Sequence, residues 1–86
     1  MSPPARLAVL ASGGGTNLQA LLDHFNRAAA PLARVELVVG SRAGIGALGR
    51  AEAAGVPTAV VDPAARSPAR CAPLLLDLLR QAHIDL

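Results

Sequence analysis

Residues 12 to 17 read Ser-Gly-Gly-Gly-Thr-Asn, and that succession of types suits the holding of an anion. Glycine reaches positive φ and has no Cβ, so backbone N–H groups can close on oxyanion oxygens. Thr16 and Asn17 add a hydroxyl and a carboxamide as side-chain donors. The apolar run before the glycines reads as a strand and the residues after them as a helix. The loop therefore collects unpaired N–H groups and the positive end of a helix dipole at one place.

The kind of anion is narrowed by what the loop lacks. No Lys-Ser or Lys-Thr follows the glycines, which excludes a nucleoside-triphosphate loop. A dinucleotide fingerprint requires a third glycine where Leu18 stands, and an acid after the second strand where Ser41 and Arg42 stand. Arg42 would suit the 2′-phosphate of NADP, which keeps half of an NADP-dependent oxidoreductase as an alternative. A phosphate monoester, small enough for one loop to hold, fits better. The competing reading is a tight strand-to-helix turn with no ligand. Three adjacent glycines weaken secondary structure without evident packing return, which favours binding. A side chain branching from Gly15 is expected to block the anion's way to the amides.

The loop must be positioned by the elements around it. Arg6 to Ala11 is a short apolar run, as in a strand covered on both faces. Leu18, Leu21, Leu22, Phe25 and Ala29 recur at helical spacing, with Thr16 or Asn17 as cap and Pro31 as terminator. The run 34–41 is a second strand, and Ile45, Leu48 and Ala51 stripe a second helix closed by Gly55 before Pro57. Residues 58–62 form a third strand. Leu75, Leu78, Leu79 and Ala82 stripe a third helix, whose start lies either at Ser67-Pro68, with a kink at Pro73, or near Ala72. The alternation predicts an α/β fold of Rossmann-like type, a parallel sheet with helices on both faces. His-Ile-Asp-Leu at 83–86 stands where a fourth strand would open, so residues 1–86 are expected to be one incomplete βαβαβα half.

Composition bounds the partners. The 86 residues carry a net charge of +2 from eight arginines and no lysine, spread without a basic block, which argues against a nucleic-acid partner. No apolar run approaches a membrane span and no leader-like segment opens the chain, so a cytoplasmic location is expected. The single Cys71 allows no internal disulfide or thiolate metal cage and reads as a packing residue; no metal site is assigned. His24 lies off the first helical stripe and His83 at a frayed helix end, and both read as surface residues.

The stretch Leu-Ala-Val-Leu-Ala-Ser-Gly-Gly-Gly-Thr-Asn-Leu-Gln-Ala-Leu-Leu-Asp, residues 7–23, resembles the amino-terminal signature of the phosphoribosylglycinamide formyltransferases. Residues 35–58 resemble the same family's second strand, turn and helix, and 83–86 the opening of its fourth strand. The resemblance implies a Rossmann-like formyltransferase domain, with residues 1–86 as its phosphate-binding amino-terminal part. It implies formyl transfer from 10-formyltetrahydrofolate, as co-substrate, to glycinamide ribonucleotide in purine biosynthesis. Gly15, Thr16 and Asn17 would bind the ribonucleotide phosphate. The family's catalytic Asn, His and Asp follow the fourth strand, so no catalytic residue is assigned within this chain. Where relatives carry an Arg toward the folate, this chain has Pro68 between Arg66 and Arg70. Gly40 replaces a bulkier residue at the end of the second strand and is expected to loosen the site edge. A third reading, a non-catalytic module that binds a phosphometabolite and works as it stands, requires residues 1–86 to fold cooperatively alone.

Overall fold

The computed structural model describes residues 3–28, 31–63 and 67–86. In chain order come β1 (Ala5–Ala11), α1 (Thr16–Leu21) continuing into a π-helical turn (Leu22–Asn26), β2 (Ala33–Gly40), α2 (Gly46–Ala53), β3 (Thr58–Val60) and α3 (Pro68–Gln81). The strands form a parallel sheet in the order β1-β2-β3. On the free edge of β1, Leu86 donates its N–H to the Arg6 carbonyl at 3.1 Å and accepts the Ala8 N–H at 2.8 Å. That exchange is a parallel bridge between Leu7 and Leu86. The expected fourth-strand position thus pairs beside β1, and β1 lies where the winding reverses. In open α/β sheets the crevice at such a reversal, outside the carboxyl ends of the strands, is where ligands bind.

One face of the sheet carries the better-filled core. Leu18, Leu22, Ala47, Leu48, Ala51 and Val56 are buried against Val35 and Val38, with Val9 and Ala11 packed alongside. Full burial of side chains such as Leu18 and Leu22 stabilises by about 1.5–3 kcal/mol each. Strand alternation turns Leu10 and Val39 to the other face, where they line a groove with Cys71 and Leu75 of α3. Cys71, Leu74, Leu75, Leu78, Leu79 and Ala82 form the inner side of α3, but each is only half-buried. Helices therefore cover both faces, as the alternation requires, with the α3 layer seated more loosely.

The first helix departs from its sequence reading in two ways. Its N-cap is Gly15, in the left-handed region at φ 79°, and no side chain caps it. Thr16 and Asn17 are helical residues, because the glycine makes the reversal that a capping side chain would otherwise support. The helix also ends at Asn26, ahead of Pro31, after widening into the π turn. Ala29 lies outside the described residues. The wide turn delivers Asn26 to β2: its Nδ2 donates to the Val35 carbonyl at 3.0 Å and its Oδ1 accepts the Val35 N–H at 2.9 Å. Val35 lies ahead of the segment of β2 that β3 pairs, Val38 to Gly40. The carboxamide thus stands in for a missing strand.

The other elements follow their patterns closely. A register shift between Leu7 and Ala8 leaves Glu36 of β2 unpaired with β1. α2 closes as a Schellman motif: Val56 N–H donates to the Ala51 carbonyl at 2.9 Å and Gly55 N–H, at φ 73°, to the Glu52 carbonyl at 3.0 Å. α3 begins at Pro68 with Ser67 as N-cap and carries Pro73 inside it, so the later start near Ala72 is excluded. Its end is ordered by a second Schellman motif, Ile84 N–H to the Leu79 carbonyl at 3.0 Å and His83 N–H to the Arg80 carbonyl at 3.1 Å. The expected fraying at His83 is therefore corrected; the residue is exposed, as expected, but holds the left-handed C′ position at φ 54°.

Candidate anion site at the end of β1

Ser12, Gly13, Gly15, Thr16 and Asn17 line a pocket of about 250 Å³ at the carboxyl end of β1. All three residues expected to bind phosphate, Gly15, Thr16 and Asn17, are brought together there. The N–H groups of Thr16, Asn17 and Leu18 donate to no backbone carbonyl among the described residues. This is the ordinary condition of a helix's first turn, and it leaves donors available at the pocket.

The loop is held from behind by α2. Ala47 donates its N–H to the Gly13 carbonyl at 3.1 Å, satisfying one of the unpaired amides at the start of α2. Arg50 donates from Nε to the Gly14 carbonyl at 2.7 Å and from Nη1 to Gln19 Oε1 at 3.3 Å. Gln19 in turn donates from Nε2 to Asp23 Oδ1 at 3.0 Å, and its N–H reaches the Gly15 carbonyl at 2.8 Å. α1 and α2 are thereby joined through the loop.

The glycines divide by role. A Cβ on Gly15 would stand 2.7 Å from the Cα of Ala47 and 2.8 Å from its Cβ, whereas a Cβ on Gly13 or Gly14 would meet nothing within 4 Å. Three expectations are corrected here. Gly15 does have a packing return, and a branch on it collides with α2 before it could obstruct an anion. Gly40 does not loosen the edge either: it is buried, and the methyl groups of Leu48 lie 3.0–3.1 Å from where its Cβ would be.

Arg50 and Ala47 escaped the sequence reading because they come from an element more than thirty residues away. The one available sign was the smallness of Gly46 and Ala47 at a helix start, which permits close approach of another backbone. A Cβ on Gly46 would stand 3.1 Å from the Cα of Gly14.

A second groove, of about 280 Å³, adjoins the first and shares Leu10, Ala11 and Ser12 with it. It is lined mainly by apolar residues under α3. Of the arginines near the expected folate position, Arg66 lies outside the described residues, and Arg70 is exposed with no side-chain hydrogen bond or ion pair among them. Among the described residues no group of three or more His, Cys, Asp or Glu could hold a metal ion. No helix among them is long and apolar enough to cross a membrane.

The family model described as formyl transferase matches residues 5–86. The chain belongs to that family. It is 47% identical over 58 residues to the trifunctional purine biosynthetic protein adenosine-3 of Bos taurus, covering 67% of this chain and 6% of that protein. The human protein of the same name is 45% identical over 58 residues. Among solved structures, glycinamide ribonucleotide transformylase 1 from Geobacillus kaustophilus superposes with a TM-score of 0.87 at 39% identity, over 96% of this chain and 44% of that one. Phosphoribosylglycinamide formyltransferase from Brucella melitensis gives 0.89 at 28% identity, over 98% of this chain and 44% of that one. The chain thus spans less than half of those solved chains and a small fraction of the curated proteins. These matches lend no support to the oxidoreductase alternative, and Arg42, on which it rested, is exposed after β2.

Proposed function

We propose that residues 1–86 are the amino-terminal, phosphate-binding part of a glycinamide ribonucleotide formyltransferase domain. The reaction is transfer of a formyl group from 10-formyltetrahydrofolate to the primary amine of glycinamide ribonucleotide, in purine biosynthesis. Gly15, Thr16 and Asn17 hold the ribonucleotide's phosphate. The single observation carrying this reading is the pocket at the end of β1, beside the winding reversal, where those three residues gather with the unpaired N–H groups of the first helical turn.

The physical division of labour is specific. A phosphate dianion at the loop is met by backbone dipoles and two neutral side-chain donors, with contributions of about 0.3–2 kcal/mol each from dipole effects. Such a site orients the substrate more than it activates it. Fixing the phosphate fixes where the amine at the far end of the ribonucleotide can reach, which is the entropic part of catalysis. The folate supplies the formyl carbon when bound, and this chain's described residues contribute no step at that carbon.

Titration of the protein with glycinamide ribonucleotide, followed by amide NMR, tests the reading. The amides of residues 13–17 should shift and gain protection from exchange, and NADPH should leave them unchanged. Unmoved amides at saturating ribonucleotide would overturn the assignment.

A further inference from the structure

Resting on the phosphate reading above, we infer that Arg50 is a positioning residue that keeps the Gly14–Gly15 peptide turned with its N–H toward the anion. In a trans peptide the C=O and N–H point in opposite directions. The Gly13 carbonyl is held by the Ala47 N–H at 3.1 Å and the Gly14 carbonyl by Arg50 Nε at 2.7 Å, both from α2. The N–H groups of Gly14 and Gly15, belonging to those two peptides, are therefore directed away from α2. The pocket at the end of β1 has no α2 residue in its lining. The clamped carbonyls thus turn both donors away from α2, and of the two residues it is Gly15, the one whose N–H belongs to the peptide that Arg50 holds, that lines the pocket.

Without the clamp this orientation is poorly defended. A peptide between two glycines lacks the Cβ atoms that make most flipped states unfavourable, so rotation of ψ at Gly14 and φ at Gly15 can turn the carbonyl into the pocket. An oxygen there repels a phosphate oxygen and removes a donor at the same time. Ala47 cannot prevent this flip, because its bond holds the preceding peptide. Arg50 is itself fixed by its second bond, to Gln19, so the guanidinium is aligned before any ligand arrives.

The experiment compares the wild-type protein with Arg50→Met, Arg50→Lys and the double variant Arg50→Met/Gly14→Ala, measuring affinity for glycinamide ribonucleotide and for inorganic phosphate. Arg50→Met keeps the apolar stem and should weaken both ligands about tenfold, the loss expected when a charge-assisted hydrogen bond that orients a donor is removed. Arg50→Lys, which keeps a donor for the Gly14 carbonyl, should recover part of the loss and covers the case in which methionine impairs folding. Gly14→Ala narrows the conformations open to the flipped peptide and should restore affinity in the Met background, which neither a general charge effect nor a fold defect would do. Unchanged affinity in Arg50→Met, or a loss that Gly14→Ala leaves untouched, overturns the positioning role while the phosphate reading stands. Failure of the wild-type protein to bind either ligand overturns both.

Discussion

Gly15 and Ala47 touch backbone to backbone: a Cβ on the glycine would come within 2.7 Å of the alanine's Cα. The contact joins the loop after β1 to the first turn of α2 and leaves no room for a side chain between them. Gly15 also needs its φ of 79° to begin α1. One residue therefore serves a turn, a helix start and a close approach.

Gly15→Ala should consequently act on the fold as well as on binding. Left-handed strain and the collision with Ala47 together should cost on the order of 2–4 kcal/mol. For a chain of this length that lowers Tm by roughly 10 °C or more, readable by circular dichroism. Gly13→Ala is the matched control, since its Cβ would meet nothing within 4 Å. Its stability should stay within about 0.5 kcal/mol of wild type. Equal stability losses in both variants would contradict the division of roles.

How much of this was legible in the sequence follows from the range of the interactions involved. The order of elements, the parallel sheet and the Gly55 helix end are local patterns, and they were readable because periodicity and glycine chemistry act over a few residues. The placing of Gly15, Thr16 and Asn17 at one pocket was readable for the same reason. The carbonyl clamps from Ala47 and Arg50 and the bidentate bond of Asn26 to Val35 join distant elements. In the sequence Asn26 is only a polar residue off an apolar stripe, and nothing in its neighbours announces that β2 lacks a partner there. The capping role given to Thr16 or Asn17 rested on propensity, which the left-handed glycine overrides.

Asn26→Ala should be among the more damaging polar substitutions. It would leave the N–H and carbonyl of Val35 without partners, and Val35 is 2% exposed, so water cannot readily replace the carboxamide. An unsatisfied buried group costs about 1–3 kcal/mol. Denaturant unfolding should show a lowered midpoint for Asn26→Ala, corresponding to a loss of about 1–3 kcal/mol. Asn26→Asp keeps the acceptor for the Val35 N–H but sets an oxygen against its carbonyl, and should also destabilise.

The segment beside β1 is secured by Asp85 and Arg6. Asp85 Oδ2 accepts the Arg6 N–H at 2.8 Å, the Asp85 N–H returns to the Arg6 carbonyl at 2.8 Å, and Arg6 Nε reaches the Ala82 carbonyl at 2.9 Å. Asp85→Ala should release this segment locally without unfolding the sheet. The Ala8 amide, bonded to the Leu86 carbonyl, reports it directly. Hydrogen exchange at Ala8 should accelerate in the variant while Val38, buried at the middle of the sheet, keeps its protection. Joint acceleration at both sites would mean that the segment is part of the cooperative core.

His83 closes α3 from the left-handed region at φ 54°, a conformation in which a Cβ is strained. The corresponding position after α2 is Gly55, and the two ends share the same Schellman bonding. His83→Gly should therefore relieve strain without altering a hydrogen bond, because both bonds of the motif use backbone atoms. Glycine also gains freedom in the unfolded chain, which offsets part of the relief. The balance should be a stabilisation of about 0.5–1 kcal/mol, seen as a higher Tm. A fall in Tm would show that the imidazole contributes more to the end of α3 than its exposed position implies.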